Sequence, residues 1–308
     1  MWAVAESPAP VRFRPMALPE LLDELFRLYR RHFALIVAIS LIVVLPTLIW
    51  TLVTGLYKFT FTSYGNLLSN GGTTNPTLTS PELGRLGGLL FLGGLGSLLF
   101  LPFSLGAVYR AVADVAQGRA ATVGGVLRET LGRYLPLFGL IGVWIGLIAA
   151  WVILTVLVVI VTAQRAGFVI ALWAIASFVA FIYCVVRWSL TVAAMMAEDT
   201  GPIRGMRRSW DLVAGSWWRT VGILLILSIM QSIIGGALGI FWNLIVSGLL
   251  RGDVGTAVGA IGSTLLQAVV SPLAAIGVVL LYFDLRVRKE GLDLDQLARQ
   301  TTPGPAPA

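Results

Sequence analysis

Carboxylates and arginines at the edges of long apolar runs are the side chains in this sequence best suited to chemistry. Asp284 follows the apolar run GVVLLYF and is the most apolar-flanked acid in the chain. A carboxylate in such surroundings is costly unless it is paired, so we expect Asp284 to pair with Arg187 or Arg110. The predicted polar cluster at this edge consists of Arg110, Arg187, Glu198 and Asp284. Two alternatives stay open: Asp284 and Arg286 mark only the headgroup boundary, with snorkelling arginines, or the cluster is a functional ion site.

A second set of candidate residues lies on a short basic segment, 202–213, between two apolar runs. Pro202 suits the first turn of a helix, where its missing N–H leaves no bond unmade. The apolar residues recur at helical spacing, and they are Ile203, Met206, Trp210 and Val213. The opposite face carries Arg204, Arg207, Arg208 and Asp211. A basic amphipathic helix with a tryptophan is typical of a membrane interface. We therefore predict that anionic headgroups contact Arg204, Arg207, Arg208 and Trp210; the alternative is a solvated loop.

The sequence lacks the motifs of the common catalytic and nucleotide-binding sites. It contains no P-loop, Rossmann glycine fingerprint, HExxH or nucleophile elbow. His32 and Cys184 are the only residues of their types, so a single chain has neither a histidine pair nor an internal disulfide. We predict no catalytic residue, no cofactor and no metal site. Cys184 is interpreted as a small buried apolar side chain.

Composition indicates an integral membrane protein. Hydrophobic residues make up 57% of the chain and charged residues only 12%, against roughly 25% charged residues in a soluble domain. Six apolar segments are each long enough to cross about 30 Å of hydrocarbon, and they are 34–57, 86–110, 136–161, 167–194, 219–248 and 256–285. The net charge of +7 reflects arginines at the edges of these segments. We expect membrane lipids with anionic headgroups as partners and no nucleic acid; no protein partner is identified.

Three amphipathic segments begin at Leu18, Val123 and Ile203, and each precedes a pair of apolar segments. Thr122 is suited to cap the second of them. The predicted fold is an all-α integral membrane domain with six transmembrane helices in three hairpins, each preceded by a cytoplasmic amphipathic interfacial helix. The predicted domains are a disordered tail (1–16), a membrane domain (17–299) with repeats at 17–110, 122–194 and 202–286, and a second disordered tail (300–308).

Lysine and arginine are distributed unevenly among the connections between the predicted spans. One side carries only four of the 22, which are Lys58, Arg85, Arg165 and Arg251. The other eighteen fall on the side of both termini and of the three amphipathic segments. Because cytoplasmic connections carry the excess of positive residues, both termini are predicted to lie in the cytoplasm.

Three stretches carry a resemblance to a known family. LLDELFRLYRRHF, AEDTGPIRGMRRSWDLVAGSWWR and LYFDLRVRKEGLDL resemble bacterial membrane proteins identified as the membrane domain of glycerophosphoryl diester phosphodiesterase. The resemblance covers about 17–297 and implies a multi-span module of a bacterial plasma (inner) membrane. Catalysis in such proteins belongs to a separate soluble barrel that uses histidines and metal-binding carboxylates. A chain with one histidine and no room for that barrel is therefore expected to have no enzymatic activity.

These observations leave three functions to compare. The first is a non-enzymatic module with a structural, interaction or lipid-organising role at the cytoplasmic leaflet. The second is a transporter or permease subunit for a neutral solute or lipid, and the third is a membrane-embedded lipid enzyme. Ionisable residues deep in spans usually mark transport or proton paths, and no Asp, Glu, Lys or Arg occurs in 34–57, 136–161 or 220–248. This favours the module, while passage of a neutral solute or lipid stays open.

Overall fold

The chain is mainly α-helical over the residues that a computed structural model describes, which are 15–57, 80–162 and 167–291. Those residues include no β-strand. Their helices are α1 (Leu18–Arg31), α2 (Phe33–Thr54), α3 (Ser80–Ala116), α4 (Val123–Gly132), α5 (Tyr134–Thr162), α6 (Gly167–Trp188), α7 (Thr191–Glu198), α8 (Pro202–Val213), α9 (Trp217–Leu249) and α10 (Gly252–Glu290). The predicted C-terminal tail and most of the N-terminal one lie outside the described residues.

Among the described residues, six helical stretches are long and apolar enough to cross a membrane. They are Phe33–Thr54, Phe91–Ala116, Tyr134–Thr162, Phe168–Glu198, Trp217–Leu249 and Gly252–Glu290. The chain is therefore a multi-pass membrane protein, as its composition predicts. The fourth stretch is not one continuous helix, because a turn at Ser189 and Leu190 separates α6 from α7.

The centre of the fold is the second half of α10. Leu280, Leu281, Tyr282 and Leu285 are each 0% exposed, and α1, α2, α3 and α9 all contact this helix. A helix that is apolar on all sides is covered by lipid or by protein, and the burial of successive residues in the second half of α10 shows that protein covers it there. The sequence segment from Pro272 to Val287 therefore forms the core around which the other helices assemble.

α9 packs along α10 and runs antiparallel to it. Arg219 near the start of α9 contacts Asp284, and Trp242 near its end donates to the carbonyl of Val258. Between them, a Cβ added at Gly277 would lie 2.5 Å from the Leu227 side chain. Small residues at such points allow two membrane helices to approach closely.

α5 and α6 lie at the periphery. Large apolar side chains cover their outer surfaces, for example Ile160 and Phe178, each 66% exposed. In a membrane these faces contact lipid tails, which are about as apolar as leucine. The two helices therefore stabilise the bundle less than α9 and α10 do.

The three short helices α1, α4 and α8 pack on the spans. The buried residues of α1, which are Leu21, Leu25 and Leu28, form one face toward α10. Thr122 caps α4 as predicted, because its Oγ1 accepts the backbone N–H of Gly125 at 3.2 Å. On α8 the buried face consists of Gly205, Met206, Ser209, Leu212 and Val213, and α8 contacts α5, α6, α7 and α10.

The buried face of α8 differs from the predicted apolar stripe. Ile203 is 51% exposed, whereas Leu212 is 1% exposed. The reason is that α8 packs on protein, so the arrangement of the neighbouring helices decides which side is covered. The apolar face of this helix therefore contacts the protein itself.

Candidate functional site

Asp284, the most apolar-flanked acid of the sequence, lies at the centre of a buried ion-pair cluster. Its carboxylate is 0% exposed. Arg219 donates from Nε and Nη2 to Oδ2, at 3.2 and 3.0 Å. Arg288 donates from Nε to both carboxylate oxygens at 3.1 Å. The backbone N–H of Met16 donates to Oδ1 at 2.8 Å. We call Met16, Arg219, Asp284 and Arg288 the Asp284 cluster.

Met16 contacts the cluster through its backbone carbonyl as well as through its N–H. Its carbonyl accepts from Arg219 Nη2 at 2.6 Å and from Arg288 Nη2 at 2.9 Å. The Met16 side chain is 4% exposed, so this last residue of the predicted tail is part of the core. The Asp284 cluster thereby joins the segment before α1 to α9 and α10.

Asp284 is therefore paired with Arg219 and Arg288, not with Arg187 or Arg110 as expected. The physical reason is the antiparallel packing of α9 on α10, which brings the first turn of α9 to the last turns of α10. Arg187 has another environment, because it donates to Tyr183 Oη at 3.0 Å and to the carbonyl of Trp210 at 2.7 Å. Its guanidinium lies 4.4 Å from the centre of the Trp210 ring, a cation–π geometry.

Arg110 forms the centre of a second cluster. Its guanidinium contacts Asp114 at 3.0 Å, Glu129 at 2.6 Å and Asp199 at 2.6 Å. Arg133 also contacts Asp199, at 2.9 Å. We call these five residues the Arg110 cluster, and they join α3, α4 and the turn between α7 and α8.

The turn that carries Asp199 has an unusual backbone. Asp199 has φ 57°, the left-handed region, and no other non-glycine residue among the described ones has a positive φ. Aspartate tolerates this conformation better than most residues. The turn borders an open cavity of about 570 Å³ that is also lined by Arg110, Glu129 and Arg133.

Glu198 belongs to a third cluster, between α7, α8 and α10. Arg208 contacts Glu198 at 2.9 Å and donates to Glu290 at 2.7 Å. Arg286 contacts Glu290 at 3.1 Å, and the hydroxyl of Tyr282 donates to Glu198. We call Glu198, Arg208, Tyr282, Arg286 and Glu290 the Glu198 cluster.

Arg208 is charged at every physiological pH in this environment. Partial burial acts against the charged form, but the hydrogen bonds to Glu290 and Glu198 raise the pKa of Arg208 above its usual value. Because the pKa of Arg208 is higher in the folded than in the unfolded state, the charged side chain stabilises the fold at every pH below the unfolded pKa. This contribution to stability is lost only as the pH rises through the folded pKa. Arg208 therefore keeps its positive charge near neutral pH.

The structure distributes the four predicted edge residues rather than joining them in one cluster. Asp284, Arg110 and Glu198 are each in a different ion-pair cluster, and Arg187 lies among aromatic rings. The Arg110 and Glu198 clusters are adjacent, because Glu198 and Asp199 are neighbours in sequence.

The four predicted headgroup residues separate into two pairs. Arg204 and Arg207 are exposed. Arg208 is held in the Glu198 cluster, and Trp210 packs against Tyr183 and Trp188, with ring centroids 5.8 and 5.9 Å apart. Only Arg204 and Arg207 therefore face away from the helices on which α8 packs.

Sequence reasoning missed Arg219, Arg288 and Glu290 as partners. A signal was present for part of this set, because Asp284–Arg288 and Arg286–Glu290 are four apart on one helix, a spacing that favours ion pairs. No sequence signal joins Arg219 to Asp284, since 65 residues separate them.

In all three clusters the carboxylates act as partners of arginines. Removing one member of a buried pair costs about 3–5 kcal/mol, because the other charge is left without compensation. Among the described residues, no group of three or more His, Cys, Asp and Glu is placed to hold a metal ion. The arrangement thus ties helices together and leaves two cations of α8 exposed.

A family model described as a domain of unknown function, DUF8558, matches residues 103–299, which is more than half of the chain. The match runs from within α3 past the end of α10 and includes all three ion-pair clusters except Met16. No curated protein and no solved structure matches the chain.

Proposed function

The chain belongs to the family described as a domain of unknown function, DUF8558, and we propose that it is a non-enzymatic membrane module that organises anionic lipids at the cytoplasmic leaflet. The observation that carries this proposal is the contrast on α8. Arg208 is held by Glu198 and Glu290, whereas Arg204 and Arg207 are exposed. The clusters fix the helix, and the two exposed cations form the contact surface.

The fixed position of α8 supports this assignment. Lys289 Nζ donates to the carbonyl of Asp211 at 2.7 Å and also to that of Ala214, and cations near a helix C-terminus are favourable there. With its own Arg208 bound to Glu198 and Glu290, and Lys289 of α10 bound to its C-terminal end, α8 has one orientation on the bundle. Each basic side chain near an anionic membrane surface contributes about 1 kcal/mol, so two preoriented arginines give a measurable lipid preference.

The lack of enzymatic activity is part of the proposal. Acid–base chemistry needs a carboxylate or histidine that is free to exchange a proton with a substrate. Asp114, Glu198, Asp199 and Asp284 each contact at least one arginine. These contacts support a structural role for the carboxylates.

The orientation of the chain in the membrane, the type of membrane and the family resemblance are proposals as well. We propose a bacterial plasma membrane, both termini in the cytoplasm, and three hairpins whose preceding short helices lie at the cytoplasmic interface. The excess of arginine on one side supports that orientation. Kinship with the membrane domain of glycerophosphoryl diester phosphodiesterase remains a prediction from the three sequence stretches.

Lipid composition around the reconstituted protein tests the function. The full chain is placed in nanodiscs of phosphatidylcholine with a minor fraction of phosphatidylglycerol, and the exchange of labelled phosphatidylglycerol is measured. Arg204→Gln together with Arg207→Gln is expected to lower the preference for the anionic lipid by about an order of magnitude. Added salt is expected to weaken the wild-type preference.

The matched control removes the same charge from the other short helices. Arg31 on α1 and Arg128 on α4 are both exposed, so Arg31→Gln with Arg128→Gln measures what two interfacial arginines outside α8 contribute. The α8 pair is expected to contribute more, because the contacts of Arg208 and Lys289 hold that helix in one orientation. An equal loss in both double variants would show a general effect of net charge and would contradict a specific role of α8.

Passage of a neutral solute or lipid is the second candidate function. One observation favours it: a cavity of about 530 Å³ lies among α2, α3, α9 and α10, and none of the described residues that line it is charged. The cavity is compatible with the lipid-organising proposal, because it involves other residues.

A further inference from the structure

The cavity among α2, α3, α9 and α10 lies within the membrane-spanning part of the bundle. Its volume is about 530 Å³, which is within the range of small-molecule sites in proteins. Seven of its lining residues have uncharged polar side chains besides Tyr109: Ser40, Ser104, Gln231, Ser263, Thr264, Gln267 and Ser271. Apolar residues such as Val43 and Val108 complete the wall.

A second, smaller cavity extends this polar surface along α9. It has about 320 Å³ and shares Gln231 and Gln267 with the first. Gln267 lies close to the α9 backbone, since a Cβ added at Gly235 would be 3.1 Å from its Oε1. The two glutamine amides are therefore placed where the cavities meet.

Ser40 is the feature that points to a ligand. Its side chain is 2% exposed, and its Oγ is buried without any hydrogen-bond partner. Leaving a buried hydroxyl unpaired costs free energy, and buried polar groups are normally satisfied. Ser40 is one of the residues that line the cavity, so rotation about its χ1 bond would turn the buried hydroxyl toward a molecule held there.

The other hydroxyls of the wall retain capacity for a ligand. Ser104 donates to Leu101 at 3.1 Å, while Ser263 and Thr264 donate to the carbonyl of Ala260 at 3.1 and 2.8 Å. Each of these oxygens still has lone pairs that accept a hydrogen bond. The wall thus offers acceptors from the hydroxyls and both donors and acceptors from the amides.

We propose that this cavity binds an uncharged molecule that carries hydroxyl or amide groups on an apolar body. A charged ligand would lack a counter-charge in the wall and would be costly to bury there. A purely apolar ligand would leave Ser40 unpaired. The inference does not depend on lipid binding by α8, because none of the cavity residues lies on α8.

Ligand binding to the full chain in phosphatidylcholine nanodiscs tests the proposal. The probes are dioctanoylglycerol as a membrane lipid, hexane-1,2-diol as a water-soluble compound, and dioctanoyl phosphatidate, which has the same acyl chains as the first probe but a charged head. At least one uncharged probe is expected to bind saturably, and phosphatidate is expected to bind at least tenfold more weakly than dioctanoylglycerol.

Two cavity variants and one control locate the site. Ser40→Ala is expected to weaken binding of the uncharged probe by about fivefold, the effect of one hydrogen bond. Gln231→Leu is expected to weaken it by a similar factor. Ser177→Ala is the control, because Ser177 Oγ is also buried and unpaired but lies on α6, away from the cavity.

Thermal unfolding without ligand separates a lost contact from a lost fold. Ser40→Ala removes an unsatisfied hydroxyl and is expected to melt at or above the wild-type temperature. Dependence on Ser40 with only one of the two uncharged probes would support the site and identify whether its ligand comes from the membrane or from water. Failure of both probes to bind, or equal affinities in Ser40→Ala and Ser177→Ala, would overturn the proposal.

Discussion

At the scale of single residues, the carboxylate of Asp284 binds residues from three segments of the chain. Asp284 is fully buried and accepts hydrogen bonds from Met16, Arg219 and Arg288. Replacement by the isosteric amide removes the charge and leaves two arginines facing each other. A single change at Asp284 is therefore expected to affect contacts with three segments of the chain.

Asp284→Asn is expected to lower the free energy of unfolding by about 3–5 kcal/mol. The measurement is thermal or chemical unfolding of the detergent-solubilised protein. Asp23→Asn is the matched control, because Asp23 is exposed on α1, and it is expected to change stability by less than about 0.5 kcal/mol. Similar losses in the two variants would contradict a special role for the cluster.

A double-mutant cycle distinguishes the observed partner of Asp284 from the one that the sequence suggested. Asp284→Asn and Arg219→Gln are expected to be strongly non-additive, with a coupling above about 1 kcal/mol. The cycle with Arg187→Gln is expected to be additive, because Arg187 contacts Tyr183 and Trp210 instead. Coupling to Arg187 and none to Arg219 would show that the arrangement described above is wrong.

At the scale of elements, close packing of α9 on α10 depends on a small residue. A Cβ at Gly277 would lie 2.5 Å from Leu227, so Gly277→Ala is expected to destabilise the protein by about 1–3 kcal/mol through overpacking. Gly222 on α9 has nothing within 4 Å of the corresponding position. Gly222→Ala is therefore expected to be neutral or stabilising by up to about 1 kcal/mol. A loss no larger than in Gly222→Ala would argue against tight contact of the two helices.

The spans could be predicted from sequence because hydropathy is a local property. The first predicted span, 34–57, corresponds to Phe33–Thr54, and the fifth, 219–248, to Trp217–Leu249. Thr122 was likewise recognisable, since a cap needs only its own side chain and a nearby N–H. The limits of a membrane-spanning helix can thus be predicted without a structure, because they depend on the hydropathy of consecutive residues.

The contacts between elements could not be predicted in the same way. Nothing local in the sequence indicates that Arg219 reaches Asp284, or that Leu212 rather than Ile203 is buried on α8. The polar face of α10 had a recognisable signal, because Ser263, Gln267 and Ser271 follow each other at four-residue steps. That spacing alone does not show that α2 and α9 supply the opposite wall.

At the scale of the whole molecule, the structure combines a rigid charged end with a central polar cavity. The clusters link the segment before α1 with α3, α4, α7, α8, α9 and α10 at the ends that carry most of the arginines. An assembly of this kind holds the helices in place.

The purified chain is expected not to hydrolyse glycerophosphodiesters. Metal-dependent hydrolysis needs several ligands around one ion, and His32 is the only histidine of the chain. The measurement is release of glycerol phosphate from a diester with and without added divalent metal. Metal-dependent turnover that His32→Ala abolishes would contradict the proposed non-enzymatic role.

The central claim, that the clusters and α8 face the cytoplasm, is tested most directly by thiol labelling in oriented membrane vesicles. Single cysteines are introduced as Arg207→Cys, Gln300→Cys, Ser69→Cys and Asp253→Cys in a Cys184→Ala background. An impermeant reagent is expected to label the Ser69 and Asp253 positions in right-side-out vesicles, and the Arg207 and Gln300 positions only in inside-out vesicles. Labelling of the Arg207 position from the outside would contradict the account.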